Sequence, residues 1–265
     1  MRAKAWDVKQ VGQFVHTPPV NRWFEPRVAQ AFADQREALP YKEMLRDIMN
    51  ALTIETGSDW IDLGCGSGRI SQALWEKASG DITITAMDCS EEAGKIYLDY
   101  AREFNPVPQN GAIRFRLGNV SHRLPFMGGK FHGVVASLVL TYAEDWDITT
   151  GMWTRWAFDN ALREVHRILV DGGQLVLTNN TPNPDFLRIF LRSWRQLVSR
   201  KGPRLIRNSA TMLSFGRWLK RSAVEGRFHY LPESELVQSL RDAGFRDIQC
   251  QLTYADQAYL VRCRK

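Results

Sequence analysis

Strand-like and helix-like segments alternate along most of this chain, and that alternation limits the fold more than any other feature. Five β-rich segments are predicted at 59–64, 81–87, 112–118, 131–140 and 172–178. Helices are predicted at 25–39, 41–52, 69–78, 90–104, 153–169 and 232–244. Two last strands, 245–254 and 257–264, predict an antiparallel hairpin. The sequence therefore predicts an α/β fold with a doubly wound, mostly parallel sheet.

A glycine-rich loop follows the first strand, in the stretch WIDLGCGSGRI at residues 60–70. Glycines at alternate positions allow a tight turn and close approach of a ligand. The dinucleotide fingerprint G-x-G-x-x-G is not matched, because its last position is Arg69. Asp62 precedes the loop and Asp88 ends the second strand, where a carboxylate can accept both hydroxyls of a ribose. A ligand that contains a nucleoside is therefore expected at this edge of the sheet.

Five motifs in order resemble those of the class I S-adenosylmethionine-dependent methyltransferases. They are DLGCGSG, AMDCS, LGNVSHRLPF, KFHGVVAS and LREVHRILVDGGQLVLT. The resemblance covers roughly residues 40–180 and 230–264. It implies a Rossmann-like sheet of seven strands with a C-terminal antiparallel hairpin and a helical cap insertion. It also implies S-adenosylmethionine as the cofactor and S-adenosylhomocysteine as the product.

The same resemblance assigns roles by position. The glycine loop would pass under the methionine part of the cofactor, and Asp62 would hold its amino group. Asp88 would accept the ribose hydroxyls, and Asn119 would meet the adenine amino group. The implied cofactor-binding residues are Asp62, Gly64, Cys65, Gly66, Gly68, Asp88, Cys89, Asn119, Val120, Ser137 and Leu138.

The acceptor of the methyl group is predicted less sharply. The stretch SLVLTY replaces the N/D-P-P-Y motif of nucleic-acid amino-methyltransferases, and TNNTP lacks the acids of metal-dependent family members. We therefore expect in-line methyl transfer to O, N or C of a small or lipid-like molecule, as in small-molecule biosynthesis, without a metal. The alternatives are an RNA methyltransferase and a non-catalytic cofactor-binding module. The candidate catalytic residues are His16, His229 and Tyr142, and the candidate acceptor-pocket residues are Trp23, Phe24, Trp146 and Tyr230.

Four segments are expected along the chain. Residues 1–52 form a helical cap on the acceptor side, 53–180 the cofactor-binding core, 181–230 a basic amphipathic insertion, and 231–265 the rest of the core. Residues 185–227 contain eleven Lys or Arg and two acids, a net charge of +9 in a chain of +6. This segment is interpreted as a packed lid with a solvated basic face, as an interfacial helix on anionic lipid, or as a site for an anionic acceptor. Nucleic acid is disfavoured, because apolar and basic residues are segregated rather than interleaved.

No targeting or membrane-spanning segment is expected from the sequence. The longest apolar run is 134–140, the first residues contain no apolar signal region, and the four cysteines show no CxxC spacing. A cytoplasmic protein is expected, with a peripheral position at the inner membrane face as the alternative. The sequence leaves the oligomeric state open.

Overall fold

The computed structural model describes residues 20–35, 38–105, 111–184 and 214–265 of the chain. The candidate base His16 and residues 185–213 of the basic insertion lie outside the described residues. Among the helices of the described part, none is long and apolar enough to cross a membrane.

The observed elements follow the predicted alternation. The helices are α1 (Pro26–Gln35), α2 (Leu39–Ala51), α3 (Arg69–Lys77), α4 (Glu91–Phe104), α5 (Trp156–Ile168), α6 (described over 214–224) and α7 (Glu233–Asp242). The strands are β1 (Asp59–Leu63), β2 (Thr83–Asp88), β3 (Ala112–Leu117), β4 (Phe131–Ser137), β5 (Asp145–Asp147), β6 (Met152–Thr154), β7 (Leu169–Asn180), β8 (Arg246–Thr253) and β9 (Ala258–Arg264).

Seven of these strands form one sheet in the order β3-β2-β1-β4-β7-β9-β8. The first five in that order pair in parallel, and β9 runs antiparallel to both β7 and β8. The predicted fold class is therefore confirmed. Because β8 runs in the same direction as β7, the β8–β9 turn lies at the carboxyl edge of the parallel strands. The order reverses between β1 and β4, and ligands bind at such a switch point.

Helices cover both faces of the sheet, so its strands are buried on both sides. On one face α5 presents a stripe of buried apolar residues at helical spacing: Ala157, Phe158, Ala161, Leu162, Val165 and Ile168. On the other face α2 and α3 bury Met44, Ile48, Leu74 and Trp75 against the alternate residues of the same strands. This two-sided packing fixes the strand ends, and therefore the loops that follow them, on a rigid frame.

Several predicted boundaries were wrong, and for two of them the structure shows the cause. The fourth strand ends at Ser137 instead of 140, because Leu138 has a φ of 51° and its amide turns to donate to the Thr178 carbonyl at 3.0 Å. The helix predicted from 153 begins at Trp156, because β5 and β6 pair as a small antiparallel ribbon. An apolar run does not show where a strand turns, and three-residue strands are too short for a pattern.

An aromatic cap, formed by Trp23, Tyr142, Phe215, Trp218 and Phe228, joins the N-terminal segment to α6. The ring centroids of Trp23 and Phe215 lie 5.0 Å apart, and those of Trp218 and Phe228 lie 5.2 Å apart. The opposite face of α6 exposes three basic residues, Arg217, Lys220 and Arg221. In this described part of the insertion, the apolar face packs inside the protein. The lipid and anion interpretations of 185–213 stay predictions.

Candidate functional site

A cavity of about 220 Å³ opens at the carboxyl edge of the sheet. Loops after β1, β2, β3 and β4 line it, together with residues near α1 and the β8–β9 turn. Ten of the eleven residues predicted for the cofactor lie along its wall: Asp62, Gly64, Cys65, Gly66, Asp88, Cys89, Asn119, Val120, Ser137 and Leu138. The eleventh, Gly68, caps the N-terminus of α3 behind the loop.

The loop between β1 and α3 depends on its glycines. Gly64, Gly66 and Gly68 have φ values of 67°, 49° and 88°, a region that residues with a Cβ avoid. A Cβ at Gly64 would lie 2.4 Å from the side chain of Val139, whereas a Cβ at Gly66 would meet no atom within 4 Å. Because Gly66 lines the cavity, that open space is available to a ligand lying against the loop backbone.

Asp88 holds this loop from the end of β2. One carboxylate oxygen accepts the Gly66 amide at 3.0 Å, and the other accepts the Ser90 amide at 2.9 Å. Burial raises the pKa of Asp88 even though both amides favour the charged form. Each carboxylate oxygen has a second lone pair, so the group can still accept hydrogen bonds from a ligand.

Asp62 is a second buried carboxyl in the cavity wall. Its Oδ2 accepts a hydrogen bond from the Ser71 hydroxyl at 2.7 Å, and burial raises its pKa to about 7. Among the described residues, no basic group acts on the pKa of Asp62 or Asp88. Two buried carboxyls without a cation suit a positively charged ligand. The sulfonium and ammonium of S-adenosylmethionine provide such a charge, so the residues present fit the cofactor that the resemblance implies.

Asn119 and Val120 line the cavity after β3. The Asn119 side-chain oxygen accepts the Ser121 amide at 2.9 Å and retains one lone pair for another donor. Cys65 and Cys89 also lie along the wall, and burial raises the pKa of both thiols, that of Cys89 to about 12. Both cysteines are therefore thiols near neutral pH rather than activated nucleophiles.

The rest of the cavity wall is largely apolar and aromatic. It includes Trp23, Val28, Tyr41, Ile70, Ile96, Leu138, Val139, Tyr142 and Tyr254. The rings of Trp23 and Tyr142 pack at 4.8 Å between centroids, which links the wall to the aromatic cap. Of the four predicted acceptor-pocket residues, Trp23 alone lies among the lining residues of this described cavity. Phe24 is 54% exposed, Trp146 packs on Trp153, and Tyr230 lies behind Tyr142.

The two described candidates for catalysis lie in different places. Tyr142 lines the cavity, its hydroxyl accepts a hydrogen bond from Asn180 at 2.8 Å, and burial raises its pKa well above the ordinary value. It therefore keeps its proton at neutral pH. His229 is not among the lining residues, and its ring packs on Phe158. Burial and the charge of Arg155 lower the pKa of His229 to about 4, so its imidazole is neutral.

A polar clasp of Asn21, Glu144 and Arg227 closes one side of the cavity. Glu144 accepts the Asn21 side-chain amide at 2.7 Å and the Arg227 Nε at 2.6 Å. The Arg227 side chain is only 2% exposed, and its guanidinium lies 4.5 Å from the centre of the Trp153 ring. The clasp ties the N-terminal segment to the loop after β4 and to the segment before α7.

Several residues of this site were not predicted, among them Tyr41 and Tyr254 in the cavity wall and Arg227 in the polar clasp. Tyr254 had a usable signal, because it follows β8 at the carboxyl edge of the sheet. Arg227 had none, since one arginine among eleven basic residues of the insertion does not stand out.

Comparison with known proteins agrees with this geometry. A family model described as a methyltransferase domain matches residues 32–250. The chain is 23% identical over 236 residues to a demethylmenaquinone methyltransferase of Geobacillus kaustophilus, covering 87% of this chain and 89% of that protein. An O-methyltransferase family protein of Burkholderia thailandensis superposes with a TM-score of 0.61 at 16% identity, covering 92% of this chain and 61% of the other. A SAM-dependent methyltransferase of Aquifex aeolicus gives a TM-score of 0.56 at 12% identity, covering 91% and 98%.

Proposed function

Since this chain belongs to the family of that methyltransferase domain and is an S-adenosylmethionine-dependent methyltransferase, we propose that it methylates a small, apolar acceptor built on an aromatic ring. The observation that carries the proposal is the apolar and aromatic wall around Trp23, Leu138 and Tyr142, closed by the aromatic cap. Such a wall favours a flat apolar ring over a charged or strongly hydrated molecule. The Geobacillus relative is a demethylmenaquinone methyltransferase, which supports the same class of acceptor.

The residues proposed to hold the cofactor surround the glycine loop. Asp88 would accept the ribose hydroxyls, Asp62 would face the ammonium group, and Asn119 would accept the adenine amino group. When bound, S-adenosylmethionine supplies a methyl group on a positively charged sulfur, and the bonding pair stays on sulfur as a neutral thioether when the acceptor takes the methyl. The acceptor loses one proton to water or to a base. Ser137 ends β4 and Leu138 follows it; both line the cavity and would contact the methionine part of the cofactor, from which the methyl group is transferred in line.

The fold contributes alignment and exclusion of water. The aromatic cap and the polar clasp both cover the cavity, so an acceptor inside would be desolvated while its reacting atom is held in place. Tyr142 contributes a protonated phenol and a ring face rather than a base. His16, His229 and Tyr142 remain proposals as catalytic residues.

A panel of acceptors tests the proposed class. We expect S-adenosylhomocysteine to form with a short-chain prenylated 1,4-naphthohydroquinone kept reduced with dithionite. The rate should exceed that with 3,4-dihydroxybenzoate by at least about tenfold, because burying a carboxylate in an apolar cavity is costly. Chromatography of the nucleoside product, with the mass gain of the acceptor, measures both rates.

Transfer RNA serves as the macromolecular comparison in the same panel. Methylation of the RNA, or a preference for the dihydroxybenzoate, would contradict the proposed acceptor class. Tight cofactor binding without turnover on any aromatic compound of the panel would contradict it as well.

The buried Asp62 predicts that cofactor affinity depends on pH. The pKa of Asp62 is about 7 in the folded chain and 3.8 without burial, so the folded chain binds this proton more tightly than the unfolded chain. The contribution of Asp62 to folding stability therefore falls as pH rises from about 4 to about 7. A cationic ligand favours the ionised carboxylate. The Kd of S-adenosylmethionine should therefore fall about tenfold between pH 5.5 and pH 7. Asp88, whose pKa burial also raises, acts in the same direction.

Calorimetric titrations at pH 5.5, 6.2 and 7 measure this slope. In Asp62→Asn the dependence on pH should flatten, whereas Asp99→Asn, at a side chain 75% exposed on α4, should keep it. An Asp62→Asn protein with an unchanged slope would disprove the role of this carboxyl.

A further inference from the structure

The turn between β8 and β9 has an unusual backbone. Tyr254, Ala255 and Asp256 have φ values of 54°, 58° and 64°, and none of the three is glycine. Side chains make this left-handed region unfavourable, so three such residues in a row need support from their surroundings. Strained backbone of this kind tends to occur where a side chain must be held in a particular place.

The surrounding hydrogen bonds supply that support. The Gln257 side chain donates to the Ala255 carbonyl at 3.0 Å, and the Gln257 carbonyl accepts the Thr181 amide at 3.0 Å. Thr253, just before the turn, donates its hydroxyl to Asp47 of α2 at 2.7 Å. The turn is therefore fixed to the end of β7 and to α2, and Ala255 within it is buried.

This backbone places Tyr254 in the wall of the cavity, which Tyr142 also lines. Among the described residues its hydroxyl has no hydrogen-bond partner, and it is not one of the fully enclosed polar atoms. The hydroxyl therefore keeps exposed surface, on a residue that lines the cavity. Burial raises the pKa of Tyr254, so the phenol keeps its proton and is available as a donor.

The neighbouring tyrosine differs in this respect. The Tyr142 hydroxyl already accepts a hydrogen bond from Asn180, and that asparagine is not among the lining residues. The Tyr142 hydroxyl is thus held by Asn180, while Tyr254 offers a hydroxyl without a described partner on a largely apolar part of the wall. A donor on a largely apolar wall orients a ligand, because its unmet hydrogen bond disfavours every pose that leaves it without an acceptor.

We propose that Tyr254 is a specificity-determining residue, whose hydroxyl donates a hydrogen bond to a ring oxygen of the acceptor. This inference rests on the proposed function, since it concerns the same aromatic acceptor. It adds that the ring carries an oxygen, as a hydroquinone or phenol does, and that this oxygen lies toward the β8–β9 turn. Leu138 packs in the same apolar cluster as Tyr254, so the oxygen would be held on the side of the cavity that follows β4.

The test compares Tyr254→Phe with Tyr259→Phe. Tyr259 lies on β9, partly buried against the opposite face of the sheet and not among the lining residues. We expect Tyr254→Phe to raise the KM of the prenylated naphthohydroquinone about tenfold, with kcat changed less and the Kd of S-adenosylmethionine within about twofold. Tyr259→Phe should leave all three unchanged. Melting temperatures verify that both variants fold.

Binding without turnover gives a second measurement. In the presence of S-adenosylhomocysteine, calorimetry with 1,4-naphthohydroquinone and with naphthalene separates the ring from its oxygens. Tyr254→Phe should weaken the hydroquinone about tenfold and leave naphthalene unchanged. Equal loss for both probes, or loss for neither, would overturn the assignment. If the wild type methylates no ring compound, the proposed function fails, and the binding comparison alone still decides the role of Tyr254.

Discussion

Replacing Asp88 by alanine should weaken binding of S-adenosylmethionine by at least about 100-fold. The proposed role of this carboxylate is to accept two ribose hydroxyls, and hydrogen bonds to a charged group contribute about 1.5–3 kcal/mol each. The same substitution frees the amides of Gly66 and Ser90, which the carboxylate holds at 3.0 and 2.9 Å. The glycine loop would then lose the contact that orders it for the ligand.

Calorimetry measures this effect directly, and a melting curve shows whether the variant folds. Burial raises the pKa of Asp88, so its charge does not itself stabilise the fold, and the variant should remain folded. Asp99→Ala on α4, whose side chain is 75% exposed, is the matched control and should bind normally. An Asp88→Ala protein with wild-type affinity would remove this residue from the cofactor site.

Replacing Arg227 by alanine should lower the free energy of unfolding by about 3 kcal/mol, which corresponds to roughly 5 °C in Tm for a chain of this size. The side chain is only 2% exposed, and its partner Glu144 is 17% exposed. Removing the cation leaves the largely buried Glu144 carboxylate without its charged partner. It also empties the space between the rings of Trp153 and Trp218, whose centres lie 4.5 and 5.2 Å from the guanidinium.

Thermal and urea denaturation measure the loss. Arg221→Ala is the control. The Arg221 side chain is 80% exposed and pairs with Glu225 at the surface, and such surface pairs contribute little to stability. The double variant Arg227→Met with Glu144→Gln should recover part of the stability lost in the single variant, since no unpaired charge then remains. Equal melting temperatures for Arg227→Ala and Arg221→Ala would show that the polar clasp does not stabilise the cap.

The fold was predictable because its signals are local. The strand and helix periods, the glycine loop and the Gly-Gly pair within β7 are each visible within a few residues of sequence. The end of β4 was not predictable, because the left-handed Leu138 depends on a hydrogen bond from its amide to Thr178, forty residues away. The β5–β6 ribbon was not predicted for a different reason: a strand of three residues is too short to show an alternating pattern.

The same distinction separates the two halves of the site. The cofactor side is built by loops that directly follow strands, so a motif such as DLGCGSG places several residues at once. The acceptor side is assembled by contacts between distant segments. Arg227 meets Glu144 across 83 residues, and Tyr254 reaches the cavity from the last hairpin. No local pattern marks Arg227, and Tyr254 is marked only by its place after β8, because what selects both residues is burial among partners that only the folded chain brings together.

The strand order has a consequence for how the chain is made. The ribosome delivers β8 before β9, yet β9 lies between β7 and β8 in the finished sheet. Until β9 inserts, both β7 and β8 present an unpaired edge, the kind of surface through which chains aggregate. The hairpin that carries Tyr254 is completed by the same event. The cofactor side of the cavity is formed by earlier segments, whereas the side of the wall formed by Tyr254 is completed only when β9 has inserted.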